Sequence, residues 1–336
     1  MRQAARHPTF PAQRGAAILT AMLTVVLVAT LASASLWQQW RGVEVEAAER
    51  SRTQSGWVLT GALDWARLIL REDARKGGAD HLAEPWAVPL EQARLSTFLA
   101  ADRSDALAAD AEQEAFLSGQ MTDLQSRLNV VNLVQSGKID EPSQMAFARL
   151  FELLNLPASE LATMADNLRL AQGAPTTGSG PAAAAAAPPE TAGVALWPQD
   201  VDQLAWVGLS PRSIAVLRPF ITILPVRTPV NLNTASAEVI YACVEAFDLA
   251  DAHRLVSARN ATHLSTLSDA SKISGKTSAQ FNDALHSVSS RFFEVRGSLR
   301  VEQTLVQEQS VVQRDGLDVK TLWRQRWVAP AATALQ

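Results

Sequence analysis

The sequence predicts an α+β protein in which a long N-terminal helix packs on a small antiparallel sheet and a large all-α domain is inserted into that sheet. Three observations support this class. Residues 16–36 form an uncharged apolar run, strand-like patterns occur at 126–131 and 291–328, and helical patterns fill much of the chain between those two segments. Because strands that are distant in sequence can share one sheet, we interpret the intervening helices as an insertion.

The apolar run is long enough to cross a membrane, since about 20 residues at a rise of 1.5 Å cover the hydrocarbon core. Three arginines precede it without any acidic residue, the last of them Arg14. A basic flank of this kind holds its end of the chain in the cytoplasm. Trp37 and Trp40 follow the run and suit the membrane interface. We therefore predict a transmembrane segment over 16–37, with the body of the protein on the other side.

This segment alone leaves three interpretations open. It is a permanent anchor, or a secretory signal peptide with the small residues Ala32-Ser33-Ala34 as its cleavage motif, or a prepilin-type leader. In the third case residues 1–15 are the leader, and a peptidase cuts between Gly15 and Ala16 and leaves the apolar helix on the mature protein. The Arg14-Gly15 pair directly before the apolar run favours this third interpretation.

Helical periodicity continues beyond the membrane segment, and we predict an N-terminal helix over 16–75. Glycines at Gly42 and Gly56 leave open whether it is one helix or two. The predicted core face recurs at i, i+4, i+8 and i+11, with Trp57, Gly61, Trp65 and Leu68. Trp57 and Trp65, together with Trp86, are therefore expected in the core.

The remainder divides into three predicted regions. Residues 76–135 hold the first part of the sheet domain after an irregular stretch, and 136–285 are the helical insertion. Within it, 172–193 is predicted to be a flexible loop, because a run of alanines there is bracketed by prolines. Residues 286–330 complete the sheet domain, and three antiparallel strands are predicted within 291–328, with a hairpin turn at Asp315-Gly316.

Composition narrows the classes of function. The net charge is −4, and removal of residues 1–15 would make the remainder more acidic, which disfavours nonspecific nucleic-acid binding. Cys243 is the only cysteine, so an internal disulfide is excluded, and we expect it to be a buried small hydrophobe. The sequence contains no HExxH, Gly-x-Ser-x-Gly or P-loop motif, so we predict that the protein is not an enzyme and requires no cofactor.

The segment 230–235, with the sequence Val-Asn-Leu-Asn-Thr-Ala, precedes a predicted helix in the insertion. Asn233 or Thr234 is expected to cap the free N–H groups of that helix. The segment also resembles helix-hairpin-helix DNA-binding proteins of the uptake type, either membrane-anchored or periplasmic. Residues 236–252 contain acidic side chains and no Lys or Arg, which favours a capped helix in a small bundle. DNA binding is therefore the alternative function.

Four segments in order resemble the general secretion pathway protein K family of type II secretion systems. They are residues 62–75, 80–87, 118–133 and 230–235, and the resemblance extends from residue 14 to about residue 328. It implies a pilin-like fold with an inserted all-α domain of the SAM-like or helix-hairpin-helix-like kind. It also implies a minor pseudopilin at the tip of a periplasmic pseudopilus, where it starts assembly with the minor pseudopilins I and J and supports export of folded proteins across the outer membrane.

The same resemblance implies further properties. A prepilin peptidase would cut after Gly15 and leave an N-methylated Ala16, and the product would be a single-pass inner-membrane protein with a cytoplasmic N-terminus and a periplasmic body. Other type II secretion components and secreted proteins are the remaining expected partners, and nucleic acid is not expected. Relatives with calcium sites use clustered carboxylates, for which Asp315, Asp318 or Asp123 are candidates here, although their spacing is not that of an EF-hand and no site is assigned.

Thr20 stands at the fifth position after the expected cleavage point, where most pilins carry a glutamate. A carboxylate in lipid is costly unless it is paired, and pilins are thought to pair it with the terminal amine of a neighbour. Members of the protein K family lack this glutamate. A subunit without it need not neutralise a subunit above it, so Thr20 suits a position at the tip.

Overall fold

The computed structural model divides into two compact units between Val58 and Leu59. It describes residues 14–95, 115–173, 196–276, 278–301 and 304–330. The described residues of the first unit are helical throughout.

Helix α1 begins at Arg14 and ends at Lys76. Gly42 and Gly56 do not interrupt it, which answers the question of one helix or two. Residues 17–50 are all exposed, and they include the apolar run up to Leu36. Within the described residues, α1 is the one helix that is long and apolar enough to cross a membrane, with a mean hydropathy of 2.2 in its most apolar stretch.

Five antiparallel strands form the sheet of the second unit and lie side by side in chain order. They are β1 (Leu90–Arg94), β2 (Ala115–Asp123), β3 (Phe292–Val301), β4 (Thr304–Asp315) and β5 (Asp318–Pro330). Gly316 makes the tight turn between β4 and β5 with a φ of 57°, a left-handed conformation that favours glycine. The three strands predicted within 291–328 and the hairpin turn are confirmed.

The strand predicted at 126–131 is confirmed only at Leu128–Asn129. The strand of this region that joins the main sheet is β2, which begins at Ala115 within the stretch 76–120 predicted to be irregular and ends at Asp123. It is followed by two short 3-10 helices, Leu124–Ser126 and Val130–Leu133. Between them, Leu128–Asn129 pairs in parallel with Ile221–Thr222. Leu128 and Val130 of this segment are buried in the core of the insertion, and that burial gave the segment the appearance of a strand.

One side of α1 covers one face of the sheet. The buried side chains come from Leu59, Leu63, Ala66 and Leu70, which recur at i, i+4, i+7 and i+11. They pack with Trp86 and with residues of β3, β4 and β5: Phe293, Val295, Val312 and Val319. The predicted core face was the wrong side of the helix, since Trp57 is 74% exposed and Trp65 is 43% exposed. Trp86, at 1% exposed, is in the core as predicted.

The insertion lies between β2 and β3 and is largely helical. Its α-helices are α2 (Glu141–Leu153), α3 (Ala158–Gly173), α4 (Pro211–Leu217), α5 (Ala237–Cys243), α6 (Leu249–Ala261) and α7 (Leu267–Ser274). They share one continuous core, which includes Phe147, Leu168, Leu217 and Ile240. Cys243 is buried in this core. Most of the predicted loop 172–193 lies outside the described residues; the part that is described ends α3.

Gly208 closes a helical hairpin in the insertion. The 3-10 helix Val201–Val207 ends at this residue, and α4 follows three residues later. Its φ is 105°, and an added Cβ would lie 2.7 Å from Cγ2 of Thr163 in α3. The hairpin turn is therefore pressed against α3, and a side chain at this position would both strain the backbone and clash.

Candidate assembly interface and interdomain junction

An apolar stripe on α1 is left open to solvent. Gly61, Trp65 and Leu68 lie at i, i+4 and i+7 on the side of the helix that does not cover the sheet. Trp65 is 43% exposed and Leu68 is 48% exposed, and an added Cβ at Gly61 would meet nothing within 4 Å. We call these three residues the α1 stripe. An open apolar surface with a small residue at one end is suited to close packing against another helix.

A cleft of about 240 Å³ opens beside Trp65. One wall is α1 and the other is the segment 85–90, which includes Val88 at 64% exposed. The floor contains a directly paired glycine couple, Gly119 of β2 and Gly297 of β3. Glycines leave the floor without side chains, and Gly297 lets Leu59 approach so closely that a Cβ would lie 3.2 Å from its Cδ2. The cleft extends the apolar surface of the α1 stripe.

A buried carboxylate joins the sheet to the insertion. Asp123, the last residue of β2, is 2% exposed. Its Oδ1 accepts a hydrogen bond from the backbone N–H of Gln125 at 2.7 Å. Its Oδ2 accepts from Oγ1 of Thr234 and from Oγ of Ser290, each at 2.6 Å. Nδ2 of Asn231 lies 3.1 Å from the same oxygen. One side chain therefore binds both ends of the insertion.

Arg314 of β4 forms a second connection next to the first. Its guanidinium donates to Oδ2 of Asp73 on α1 at 2.7 Å and to the carboxylate of Asp80. It also donates to the backbone carbonyl of Ser290 at 2.8 Å, and it lies 5.0 Å above the ring of Phe293. Asp80 in turn accepts from the backbone N–H of Ser290 at 2.6 Å. Helix α1, the loop after it, β3 and β4 all meet at this guanidinium.

Burial perturbs the acids at this junction. It raises the pKa of Asp123 to about 6 in spite of the donors around it. It also raises the pKa of Asp80, although the charge of Arg314 opposes the shift. The pKa of Glu84 is raised to about 7, again chiefly by burial. His81 stacks on His263 with ring centroids 3.9 Å apart, and burial followed by the charge of His263 lowers the pKa of His81.

The candidate calcium ligands are each engaged by another group of the protein. Both oxygens of Asp123 accept from protein donors, Asp315 pairs with Arg291, and Asp318 pairs with Lys320 at 3.0 Å. A different group of carboxylates converges within 4.8 Å, namely Asp73, Asp80 and Glu84. Arg314 already supplies a positive charge to the first two of these, so the group is an ion-pair cluster.

The helix caps of the insertion differ from the prediction. The N-cap of α5 is Ser236, whose Oγ accepts from the backbone N–H of Val239, so the predicted caps Asn233 and Thr234 are wrong. Thr234 instead binds Asp123. The side chain of Asn233 binds the backbone of Leu264 in both directions, with Oδ1 accepting from its N–H at 2.8 Å and Nδ2 donating to its carbonyl at 2.9 Å. Helix α5 starts later than predicted, so Asn233 and Thr234 lie before its cap and bind residues that are distant in sequence.

The geometry does not support DNA binding. A helical hairpin of the DNA-binding kind would turn the free N–H groups at the start of its second helix toward a phosphate. Here Ser210 caps α4, and the carboxylate of Glu160 accepts from the backbone N–H of Ser210 at 3.1 Å. Position 237, at the start of α5, is buried. A carboxylate of the chain itself therefore lies where a phosphate would be needed.

The remaining predicted site residues lie on α1. Arg14, Gly15 and Ala16 are in its first turn, and Oγ1 of Thr20 donates to the carbonyl of Ala17 at 3.0 Å. Trp37 and Trp40 are 59% and 63% exposed, and the guanidinium of Arg41 lies 5.5 Å from the ring of Trp37. Processing at Gly15, the role of Thr20 and the membrane interface stay predictions.

Sequence reasoning missed most of the junction. Asp80, Ser290 and Arg314 carry no local motif, and Ser290 lies far from Asp123 along the chain. The one available signal was the clustering of polar residues in the otherwise apolar segment 230–235. Buried polar groups need partners, so Asn231 and Thr234 pointed to a hydrogen-bonded site whose partners the sequence did not identify.

Two adjacent parts of the insertion match family models that carry the same description. Two family models described as type II secretion system protein K match residues 126–226 and 230–289. The type II secretion system protein K of Pseudomonas aeruginosa is 26% identical over 295 residues, which cover 84% of this chain and 83% of that protein.

A solved structure is similar in fold. It is the crystal structure of the GspK-GspI-GspJ complex from the type 2 secretion system of enterotoxigenic Escherichia coli. The match has a TM-score of 0.57 and 18% sequence identity, and it covers 83% of this chain and 98% of the matched one. It supports the architecture of a long helix, an antiparallel sheet and a helical insertion.

The raised pKa of Asp123 predicts a pH-dependent contribution to stability. The native pKa of about 6 lies above the ordinary value of 3.8, so the native state binds more protons than the unfolded state between these values. The contribution of Asp123 to the free energy of unfolding therefore falls as pH rises through this window. Asp123→Asn should destabilise the protein most near pH 4, and the difference from the parent protein should shrink by on the order of 3 kcal/mol by pH 7.

Urea denaturation of the full chain in nonionic detergent, followed by tryptophan fluorescence from pH 4 to 7, measures this difference. The control is Asp166→Asn, since Asp166 is 62% exposed, and it should show little change with pH. A difference for Asp123→Asn that grows with rising pH would contradict the assignment.

Proposed function

Since this chain belongs to the type II secretion system protein K family, we propose that it is a minor pseudopilin at the tip of a periplasmic pseudopilus. The observation that carries the proposal is the α1 stripe, an exposed apolar surface on a helix whose other side holds the sheet. Such a surface fits the helix of a sibling subunit. The protein starts assembly of the pseudopilus and supports export of folded proteins across the outer membrane.

The partners are the minor pseudopilins I and J. The structural relative was solved as a complex whose chains are named GspK, GspI and GspJ, which supports the same partnership here. A prepilin peptidase and the other type II secretion components are further partners. The body offers secreted proteins a surface at the tip. The protein acts by assembly, because the junction acids whose pKa values are raised by burial hold the fold together.

The protein lies in the inner membrane with one span, its N-terminus in the cytoplasm and its body in the periplasm. The exposed apolar part of α1 and the arginines that precede it support this orientation. We assign the insertion to the SAM-like, helix-hairpin-helix-like class. The helical hairpin formed by Val201–Val207, Gly208 and α4 supports that assignment.

Processing after Gly15 is the first prediction of this function. The mature protein extracted from membranes should begin at Ala16 and carry a methyl group on its terminal nitrogen. N-terminal sequencing and mass spectrometry of the intact protein measure both. A mature chain that begins near Ser35 would instead identify a freed periplasmic protein and would contradict the assembly role.

The α1 stripe should control association with the sibling subunits. Trp65→Ala removes exposed apolar surface and should lower the yield of co-purified pseudopilins I and J about tenfold or more, as large aromatic anchors do at interfaces. Trp206→Ala is a matched control, because Trp206 is 51% exposed on the insertion. Equal yields for the Trp65 and Trp206 variants would contradict a role of the stripe in assembly.

The tip position gives Thr20 a testable role. Thr20→Glu introduces a carboxylate into the membrane segment, which then needs the terminal amine of a neighbouring subunit as its partner. We expect this change to reduce pseudopilus assembly and secretion, measured by pilus shearing and by the amount of exported protein. Unchanged assembly and secretion would remove the argument from Thr20.

A further inference from the structure

The face of the sheet turned away from α1 carries two arginines of β3. Side chains alternate along a strand, so Phe293, Val295 and Leu299 pack toward α1 while Arg296 and Arg300 lie on the opposite face. We call this opposite face, between the register positions of Glu294 and Arg300, the outer sheet face. Its other side chains, from β2, β4 and β5, are Phe116, Ser118, Gln120, Thr122, Leu305, Gln307, Gln309, Val311, Trp323, Gln325 and Trp327.

Arg296 is held in place on this face by a buried carboxylate. Nε of Arg296 donates to Oε1 of Glu294, a side chain that is 3% exposed. The same oxygen accepts from Nε2 of Gln309 at 2.7 Å, so Glu294 is itself fixed. The side chain of Arg296 is nevertheless 57% exposed. A buried anion thus anchors one nitrogen of the guanidinium while the outer edge of the group faces solvent.

Arg300 is ordered by two other contacts. Its Nε donates to the side-chain oxygen of Gln92 on β1 at 2.9 Å, which leaves the Nη1 side of the guanidinium for a partner. Its guanidinium lies 4.5 Å from the ring centroid of Phe116, and that of Arg94 lies 6.0 Å from the same ring. Between the two arginines of β3, Ser298 belongs to a row of bonded side chains. Nε2 of Gln307 approaches Oγ of Ser298 at 3.4 Å, and Nε1 of Trp327 donates to Oε1 of Gln307 at 2.9 Å. Long side chains held in this way lose less entropy when they bind a partner.

Charge decides what such a face can bind. Among the side chains that β2 to β5 place on this face, the cations Arg296 and Arg300 are partly or largely exposed, whereas the one carboxylate, Glu294, is buried. Arg94 of β1, which lies opposite Phe116, adds a third exposed cation. This basic surface lies on a protein whose net charge is −4. A planar guanidinium with a free edge binds a carboxylate through two parallel hydrogen bonds. The two arginines are four residues apart on one strand, which corresponds to about 13 Å.

We propose that the outer sheet face binds an extended acidic segment of another polypeptide. Carboxylates four residues apart in that segment pair with Arg296 and Arg300, and the intervening residues lie over Ser298 beside the Gln307 and Trp327 row. This surface is distinct from the α1 stripe, so the inference does not depend on the assembly role proposed above.

The test uses the full chain in nonionic detergent and a fluorescent 13-residue peptide of Ser, Thr and Gly with Glu at every fourth position. Fluorescence anisotropy should show that this peptide binds at least tenfold more tightly than the same peptide with Gln in place of Glu. Arg296→Gln and Arg300→Gln should each weaken binding about three- to tenfold, as loss of a charged hydrogen bond does. The control Arg291→Gln removes an exposed arginine paired with Asp315 elsewhere and should bind as the parent protein does.

Glu294→Gln separates an oriented site from general attraction. This variant gains positive charge, so general attraction would tighten binding, whereas loss of the anchor of Arg296 should weaken it. Near-ultraviolet circular dichroism checks that each variant is folded. The proposal is overturned if the Glu and Gln peptides bind equally, if Arg291→Gln weakens binding as much as Arg296→Gln, if Glu294→Gln binds more tightly, or if a 15-nucleotide thymidine strand binds as well as the Glu peptide.

Discussion

The fold of the second unit depends on one buried carboxylate. Asp123 ends β2 at the point where the chain leaves the sheet, and Ser290 lies where the chain returns to it. A buried charge is stable only where donors surround it, so the position of Asp123 requires donors from both ends of the insertion at once. The backbone N–H of Gln125 at the start of the insertion and the hydroxyl group of Ser290 at its end meet that requirement, and Thr234 and Asn231 add donors from its middle. The carboxylate thereby fixes the insertion relative to the strands that flank it.

Arg314 adds α1 to the same junction. Its bonds to Asp73 and Asp80 tie the end of the helix to β4, while Arg67 of α1 donates to the carbonyl of Val319 at 2.9 and 2.7 Å. These polar contacts hold one side of α1 on the sheet, in addition to its buried leucines. The opposite side of the helix carries the exposed α1 stripe. The same helix thus serves both the core and the assembly surface.

The sequence was informative where a pattern was local. The apolar run, the C-terminal strands and the turn at Gly316 each follow from neighbouring residues, and the structure has them as expected. Errors arose where tertiary contacts decided the outcome. Trp65 and Leu68 satisfy the same helical period as Leu63 and Leu70, and only the position of the sheet shows which set is buried. The segment 126–131 is buried on several sides, which imitates the pattern of a strand.

The candidate site was partly predictable for the same reason. The segment 230–235 was recognised, but Asn233 and Thr234 were assigned to a cap that Ser236 provides. Capping rules describe residues next to a helix, whereas both of these side chains bind groups that are distant in sequence. Asp80, Asp123, Ser290 and Arg314 come together only through the topology of the sheet.

The order of the strands has a consequence for the way the chain folds. β2 and β3 are neighbours, and Asp123 faces Phe293 across them, although about 170 residues separate the two positions. Closing a loop of that length is slow compared with forming a hairpin such as β4 and β5, whose strands can pair as soon as their turn forms. The C-terminal strands are therefore expected to assemble early. The two ends of the helical insertion have to come together before β2 can pair with β3 and complete the sheet.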